Sequence, residues 1–589
     1  MFERVLVWIA TSVMAVTFAL SWLPAVFDGT HYVPLGPDSF YHARRMLDVA
    51  ADPHAFYQFD SMIHAPDGSL LTWPWAYDFA AGYAARLLMP LLGITDPMRV
   101  LVYIPVVFVL VNSAVLLALG VHFRLPRFAF YLLAGCYALS PLTRELHAVG
   151  QLDHHFLEQL CFFAALLSGS QWLRRSTPLS ALTAGAVLGA APALHNGLFV
   201  LQIFLLGGLL LLWLRRLFEP GVSVYYFGVA LVGMTILILL PSEPFYRGEW
   251  SYYYLGWFHL AAACATAMAA LVLCWFKPNS RSVLVGMLVL IALGLVAADQ
   301  IVQGGRFVFA AMPALRDVSE ARSVFQLLLR GEYSYLTRRY SGLLWLLPVI
   351  WAGLGMVALR TRDAGIVYTC VALGAGSVLL MQQLRLHYFG SLTLYLPLLL
   401  AASHFIRRLR PSHRNGAIAL LYGLVGAALW PGVLTFGSHP PFAGDINYSV
   451  NRRLFTLLGD HCRTDPGVVL ALFGDGHYVR YHTRCRSIAD NFIMTPQHLE
   501  RIAYTEARFA SSAEDLRRNH PWIRYVYVQR QDNPLVEKSR GAARAANPRL
   551  IQELLLAPTL PAGFETLGES VLTHRDGERE PIARVLRVD

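Results

Sequence analysis

The chain has 589 residues, 56% of them hydrophobic and only 15% charged, with a formal net charge of +10. Soluble domains carry about a quarter charged residues, so this composition, with a mean hydropathy of +0.46, excludes an ordinary soluble enzyme. It also argues against nucleic acid as a partner, because lysine occurs only at Lys277 and Lys538 and the arginines sit in short loops between apolar runs.

Taken in chain order, thirteen apolar runs fall at about 5–26, 98–120, 128–143, 154–173, 178–194, 198–214, 222–241, 256–276, 282–303, 341–359, 364–382, 387–405 and 415–436. Each approaches the ~20 residues that an α-helix needs to cross a hydrocarbon core, and in lipid a run must be helical to satisfy its own backbone. The exit of the first, Trp22-Leu-Pro-Ala-Val-Phe27, lacks a small-x-small cleavage pattern and reads as an uncleaved span. Alternate short loops hold Arg124 and Arg127, Arg174 and Arg175, Arg215 and Arg216, Lys277 and Arg281, Arg360 and Arg362, then Arg407, Arg408, Arg410 and Arg414. All lie on one side if the N-terminus is cytoplasmic, which is the positive-inside pattern. The fold class expected is therefore an all-α polytopic membrane domain over 1–436, in a bacterial inner membrane, with 437–589 outside the cytoplasm.

Two outer loops differ from the inner ones. Residues 27–97 are rich in aromatic, Asp, His and Pro residues, and 304–340 carry Glu320 with Arg306, Arg316, Arg322, Arg330, Arg338 and Arg339. Arginines on the outer side suit outer-leaflet phosphate; plain loop solvation is the alternative. The C-terminal region reads as a small α/β globule, with strands at Val468–Phe473 and Ile523–Val528 and a helix-like stretch at Pro496–Arg518. Cys462 and Cys485 are a candidate disulfide in an oxidising compartment, with two free thiols as the other reading. The remaining five cysteines lie in apolar runs and read as small buried hydrophobes.

The chemistry gathers at the outer ends of spans. Asp38 lies in Gly36-Pro-Asp-Ser-Phe-Tyr-His-Ala-Arg-Arg45; Asp153, His154, His155 and Glu158 stand at the head of the fourth span; Glu320 lies in the second large loop; Arg385 opens the twelfth span. Carboxylate and imidazole at a membrane helix head are costly in lipid and tend to line a polar cavity. Their oxygens suit Mg²⁺ or Mn²⁺, and an imidazole tilts the choice towards Mn²⁺ or a softer ion. Interfacial polar residues with Asp153 as a helix N-cap are the structural alternative.

Gly36–Arg45, Ala65-Pro-Asp-Gly68 with Trp73-Pro-Trp75 and Tyr77-Asp78, and Gly150-Gln-Leu-Asp-His-His155 resemble the bacterial and archaeal single-subunit oligosaccharyltransferases, and are similar to the catalytic subunit of the eukaryotic complex. The resemblance implies a thirteen-span membrane glycosyltransferase domain of the C-type fold followed by an outer globular domain. It implies that Asp38, Asp153 and His155 hold Mn²⁺ or Mg²⁺, that Asp38 and Glu320 engage the acceptor, and that Arg385 holds the donor's diphosphate. The partners implied are the membrane, a polyprenyl-linked sugar and a protein or peptide acceptor, with the chain acting as a single subunit. The family's acceptor motif W-W-D-Y-G has as its counterpart Phe473-Gly-Asp-Gly476, which keeps Asp475 and none of the aromatic residues; a turn-forming aspartate is the alternative for Asp475. Two rival functions remain: a glycosyltransferase using a polyprenyl-monophosphate sugar with a lipid, glycan or non-sequon acceptor, and a non-catalytic transporter, which would place its charged site near the bilayer midplane.

Overall fold

The structure is a computed structural model that describes residues 2–27, 29–278, 298–300, 302–303, 306–307, 322–434, 446–531, 547–573 and 579–589. Most of the run at 282–303 and Glu320 lie outside the described residues. The chain divides into two units: one of Met1–Leu23, Thr72–Tyr77 and Tyr103–His439, the other of Pro24–Leu71, Asp78–Val102 and Pro440–Asp589.

The first unit is helical. Seven described helices of the chain are long and apolar enough to cross a membrane, or eight if the pair Leu384–Gly390 and Leu392–Ile406, bent by 63°, counts as one. The helix His155–Arg175 is excluded from that number by its polar residues, yet Phe156, Leu157, Glu158, Gln159 and much of the rest of it are buried. A helix covered nearly all round needs no lipid-facing apolar stripe. Small residues set the spacing of two neighbours: a Cβ on Gly185 or Gly189 of helix Pro178–Ala190 would press on the backbone at Leu231 of helix Ser223–Leu239, the close approach that small-xxx-small faces allow. Asp363 caps helix Ala364–Gln382 by accepting from the Ile366 amide at 3.1 Å, and its carboxylate also takes Arg174 Nε at 2.8 Å.

The second unit holds a five-stranded sheet in the order Arg486–Ser487, Val468–Leu470, Ile523–Gln529, Arg579–Val588, Phe564–Thr573. The first three strands are parallel and the last two antiparallel. Alternation along Ile523–Gln529 sends Val526 and Val528 into one core with Leu470, Phe509 and Leu516, and Tyr525 and Tyr527 into another with Phe455, Leu458 and Tyr478, the period of two that a strand covered on both faces requires. Cys462 and Cys485 form a disulfide with Cα atoms 5.4 Å apart. The expected helix at 496–518 is two helices, Pro496–Ala510 and Ala513–Asn519, because Ser512 caps the second by accepting from the Asp515 amide. Helices Pro37–Ala51 and Ala76–Leu92 occupy much of the region read as an outer loop.

Candidate active site

In the first unit the helix His155–Arg175 begins immediately after Asp153 and His154, and its first turn carries Glu158. Asp153 does not act as its N-cap; that position belongs to His154. Instead the four side chains close a ring. Asp153 Oδ1 lies 2.8 Å from His154 Nδ1 and Asp153 Oδ2 lies 3.0 Å from His155 Nε2. Glu158 Oε2 takes His155 Nδ1 at 2.6 Å, while Glu158 Oε1 faces His154 Nε2 at 3.6 Å. The turn before helix Val200–Leu214 adds His195, whose Nδ1 lies 2.7 Å from Glu158 Oε1. Glu158 is fully buried, and Asp153, His154 and His155 nearly so.

Aromatic rings wall this cluster. Trp73 lies 4.6 Å from the His154 ring and 5.6 Å from His195, and Tyr388 stacks on His155 at 5.4 Å. The Arg385 guanidinium sits over Trp73 at 5.7 Å, in the 3₁₀ turn Leu384–Leu386 that opens the bent helix pair. A guanidinium over an indole face gains a cation–π attraction, and its planar fork matches carboxylate or phosphate geometry. The unit thus brings Asp153, His154, His155, Glu158 and Arg385 into one aromatic-walled region, and adds His195, Trp73 and Tyr388.

In the second unit Asp38 lies in the first turn of helix Pro37–Ala51 and keeps 23% of its side chain exposed. Asn491 Nδ2 donates to Asp38 Oδ1 at 3.1 Å, and His477 Nδ1 lies 3.4 Å from the same oxygen. Behind His477 is buried Asp490, which accepts from the Phe492 amide at 3.0 Å and faces His64 Nε2 at 3.3 Å. Burial pulls the His477 imidazole towards neutrality, but Asp38 and Asp490 outweigh it and hold the group above its ordinary range. Burial likewise opposes charge on Asp490, and His64 with His477 more than compensates, keeping its carboxyl well below the usual range. Gly476 makes this possible: a Cβ there would sit 2.6 Å from Asp490 Cα.

Asp475 is buried beside this network, with Oδ2 accepting from Gln529 Nε2 at 2.9 Å. His195, His477 and Asn491 were not singled out by sequence. The one available signal was for His195, a lone imidazole in the three-residue turn between two apolar runs.

Seven or eight described helices able to cross a membrane, with a buried carboxylate–imidazole ring and an arginine at the head of a buried helix, define a multi-span membrane protein with an ionic site. No family model matches the chain. It is 23% identical over 350 residues to the dolichyl-phosphooligosaccharide-protein glycotransferase 1 of Archaeoglobus fulgidus, a match covering 56% of this chain and 53% of that protein. The chain therefore spans about half the length of the curated relative it matches. Its fold superposes on the archaeal oligosaccharyltransferase of the same organism solved with an inhibitory peptide and a dolichol-phosphate, at a TM-score of 0.70, 15% identity, and coverage of 98% of this chain and 74% of that one. The same archaeal enzyme in complex with Zn and sulfate superposes at a TM-score of 0.64, 17% identity, and coverage of 98% and 73%. Sequence match and superposition together make the chain similar to the archaeal oligosaccharyltransferase, with which it shares its fold.

Proposed function

We propose that the chain is a metal-dependent, inverting membrane glycosyltransferase that moves a glycan from a polyprenyl-(di)phosphate donor to a protein acceptor on the periplasmic side of a bacterial inner membrane. The observation that carries this reading is the buried ring of Asp153, His154, His155 and Glu158, walled by aromatic rings and accompanied by Arg385. Ionisable groups at the head of a membrane helix are retained for function rather than for stability. The relative with 23% identity is a glycotransferase, and a structural neighbour is bound to dolichol-phosphate and peptide.

By residue type, Asp38, Asp153 and His155 are the groups that would hold a divalent cation. Asp38 and Asp153 offer carboxylate oxygens and His155 an imidazole nitrogen, a mixed set that suits Mn²⁺ or, with more water, Mg²⁺. When bound, the ion stabilises charge that develops on the departing phosphate. The chain's own groups do the rest: Arg385 holds the donor phosphate, Asp38 and Glu320 orient the acceptor nucleophile, and the aromatic wall excludes water. The acceptor atom forms its bond to the anomeric carbon as the bond from that carbon to phosphate oxygen breaks, so configuration inverts. The thirteen-span count, a cytoplasmic N-terminus and a periplasmic 437–589 domain belong to the same proposal, and the Cys462–Cys485 disulfide supports an oxidising side for that domain.

A second reading changes only donor and acceptor: a polyprenyl-monophosphate sugar passed to a lipid, a glycan or a non-sequon protein site. It is favoured by Asp475, whose carboxylate is turned into the globule towards Gln529. One assay tests both. Purified chain is given mono- and diphosphate donors with peptide acceptors, and products are read by mass spectrometry. Asp153→Ala is expected to abolish transfer while the protein still inserts in the membrane. Full transfer with every divalent cation chelated would overturn the metal-dependent mechanism.

A further inference from the structure

We propose that His154, Glu158 and His195 form a second cation site, separate from Asp38, Asp153 and His155, and suited to a zinc-type ion. One ligand atom from each of the three lies within 4.8 Å of the other two. His154 Nε2 and His195 Nδ1 both face Glu158 Oε1, at 3.6 and 2.7 Å. A tetrahedral ion with bonds of about 2.0–2.1 Å holds its ligand atoms about 3.3 Å apart, so small rotations of the rings accommodate one.

The orientations of His154 and Glu158 are set by partners that a cation would not displace. Asp153 Oδ1 takes the Nδ1–H of His154 at 2.8 Å, which leaves the lone pair on Nε2, directed at Glu158. A carboxylate behind a histidine in this way fixes the tautomer and raises the basicity of the opposite nitrogen. Glu158 Oε2 is occupied by His155 at 2.6 Å, so Oε1 is the oxygen turned to the two imidazoles. The turn that carries His195 is anchored by its neighbour: Asn196 Nδ2 donates to the Tyr253 carbonyl, the Asn196 carbonyl accepts from His259 Nε2 at 2.9 Å, and Asn196 Oδ1 accepts from the Gly197 amide at 2.9 Å. The His154 and His195 rings stack at 4.7 Å with 26° between planes, beneath Trp73.

The chemistry of the set selects the ion. Two imidazoles and one carboxylate form a three-ligand zinc site that leaves a fourth position for water or an anionic oxygen. Mg²⁺ prefers six oxygens in octahedral array and is disfavoured here. The site stands on the geometry of the first unit alone and does not rest on glycosyl transfer.

The test uses the full chain in lipid nanodiscs, stripped with chelator and titrated with Co²⁺ for its visible spectrum and with Zn²⁺ for bound-metal analysis. The wild type is expected to show the intense band of tetrahedral cobalt and to hold zinc. His195→Gln and Glu158→Gln are expected to lose the band and weaken zinc binding about 10–100-fold, whereas Asp38→Asn keeps the tetrahedral band. His195 lies at a turn with 12% of its side chain exposed, so its variant stays informative if the buried Glu158 variant fails to fold. An unchanged cobalt spectrum and zinc content in His195→Gln would overturn the proposal. So would a band lost in Asp38→Asn, since that places the ion in the other set.

Discussion

Replacing Cys462 and Cys485 by alanine opens a loop whose ends are 23 positions apart. In the chain-entropy treatment, closing a loop of that size removes about 11–12 cal/mol/K from the unfolded ensemble, or about 3.4 kcal/mol at 25 °C. Alanine is preferred to serine because both sulfurs are buried and a buried hydroxyl without a partner adds a further cost of about 1–3 kcal/mol. The bridge joins helix Ile446–Thr464 to the segment just before strand Arg486–Ser487, and that strand leads into Asp490 and Asn491. Amide exchange in strand Ile523–Gln529 reports the opening of this sheet. A loss of 3.4 kcal/mol corresponds to about 300-fold faster exchange for the slowest amides. Reduced wild-type protein should behave like the double variant. Acceleration below about 10-fold in both would refute the argument that this crosslink, through loop closure, holds the sheet together.

Other outcomes follow from single contacts. Asn491→Ala removes the amide that holds Asp38 Oδ1 and is expected to weaken the proposed cation about 10–100-fold, read as the metal concentration for half-maximal transfer; an unchanged value refutes a positioning role. Arg385→Lys exchanges a planar fork on Trp73 for a point charge. It should raise the donor KM about tenfold, or ~1.4 kcal/mol, with a smaller change in kcat; an unaltered KM refutes the donor contact. Burial, reinforced by neighbouring positive charge, pushes His482 and His498 down to about 3, while the unfolded chain binds these protons near pH 6.5. Folded imidazoles that resist protonation make stability fall as pH drops from about 6.5 towards 3. Exchange in Ile523–Gln529 should therefore quicken at pH 5 relative to pH 7.5, after correction for intrinsic rates, and less so in His498→Gln.

Much of the helical architecture was legible because apolar runs of span length have one solution in lipid. The head of the helix His155–Arg175 was legible too, since Asp-His-His-x-x-Glu is incompatible with bare hydrocarbon. The helices Pro37–Ala51 and Ala76–Leu92 were not, because their segments mix aromatic and charged residues and satisfy the charge internally. Asp78 takes His42 Nδ1 at 2.8 Å and also Arg45, a pairing invisible to a hydropathy window. Strands Phe564–Thr573 and Arg579–Val588 were missed for a related reason: the first is largely half-exposed or exposed and rich in Glu and Thr, so its apolar alternation is weak. His477 and Asn491 are single polar residues whose meaning depends on an aspartate more than 430 positions earlier. No local pattern encodes that.

That separation has a consequence for how the protein is made. Asn491 reaches back 453 residues to Asp38, and Phe40 packs in the same core as Tyr448, Phe455 and Tyr478. At about 5–20 residues per second, the ribosome delivers the later partners some 20–90 s after the N-terminal helix has emerged. Throughout that interval a segment destined for an interior stands without its lining while a series of membrane helices is inserted. Early chaperone attendance on residues 24–71, and intolerance of truncations near the C-terminus, are the biosynthetic signature to expect of such a discontinuous unit.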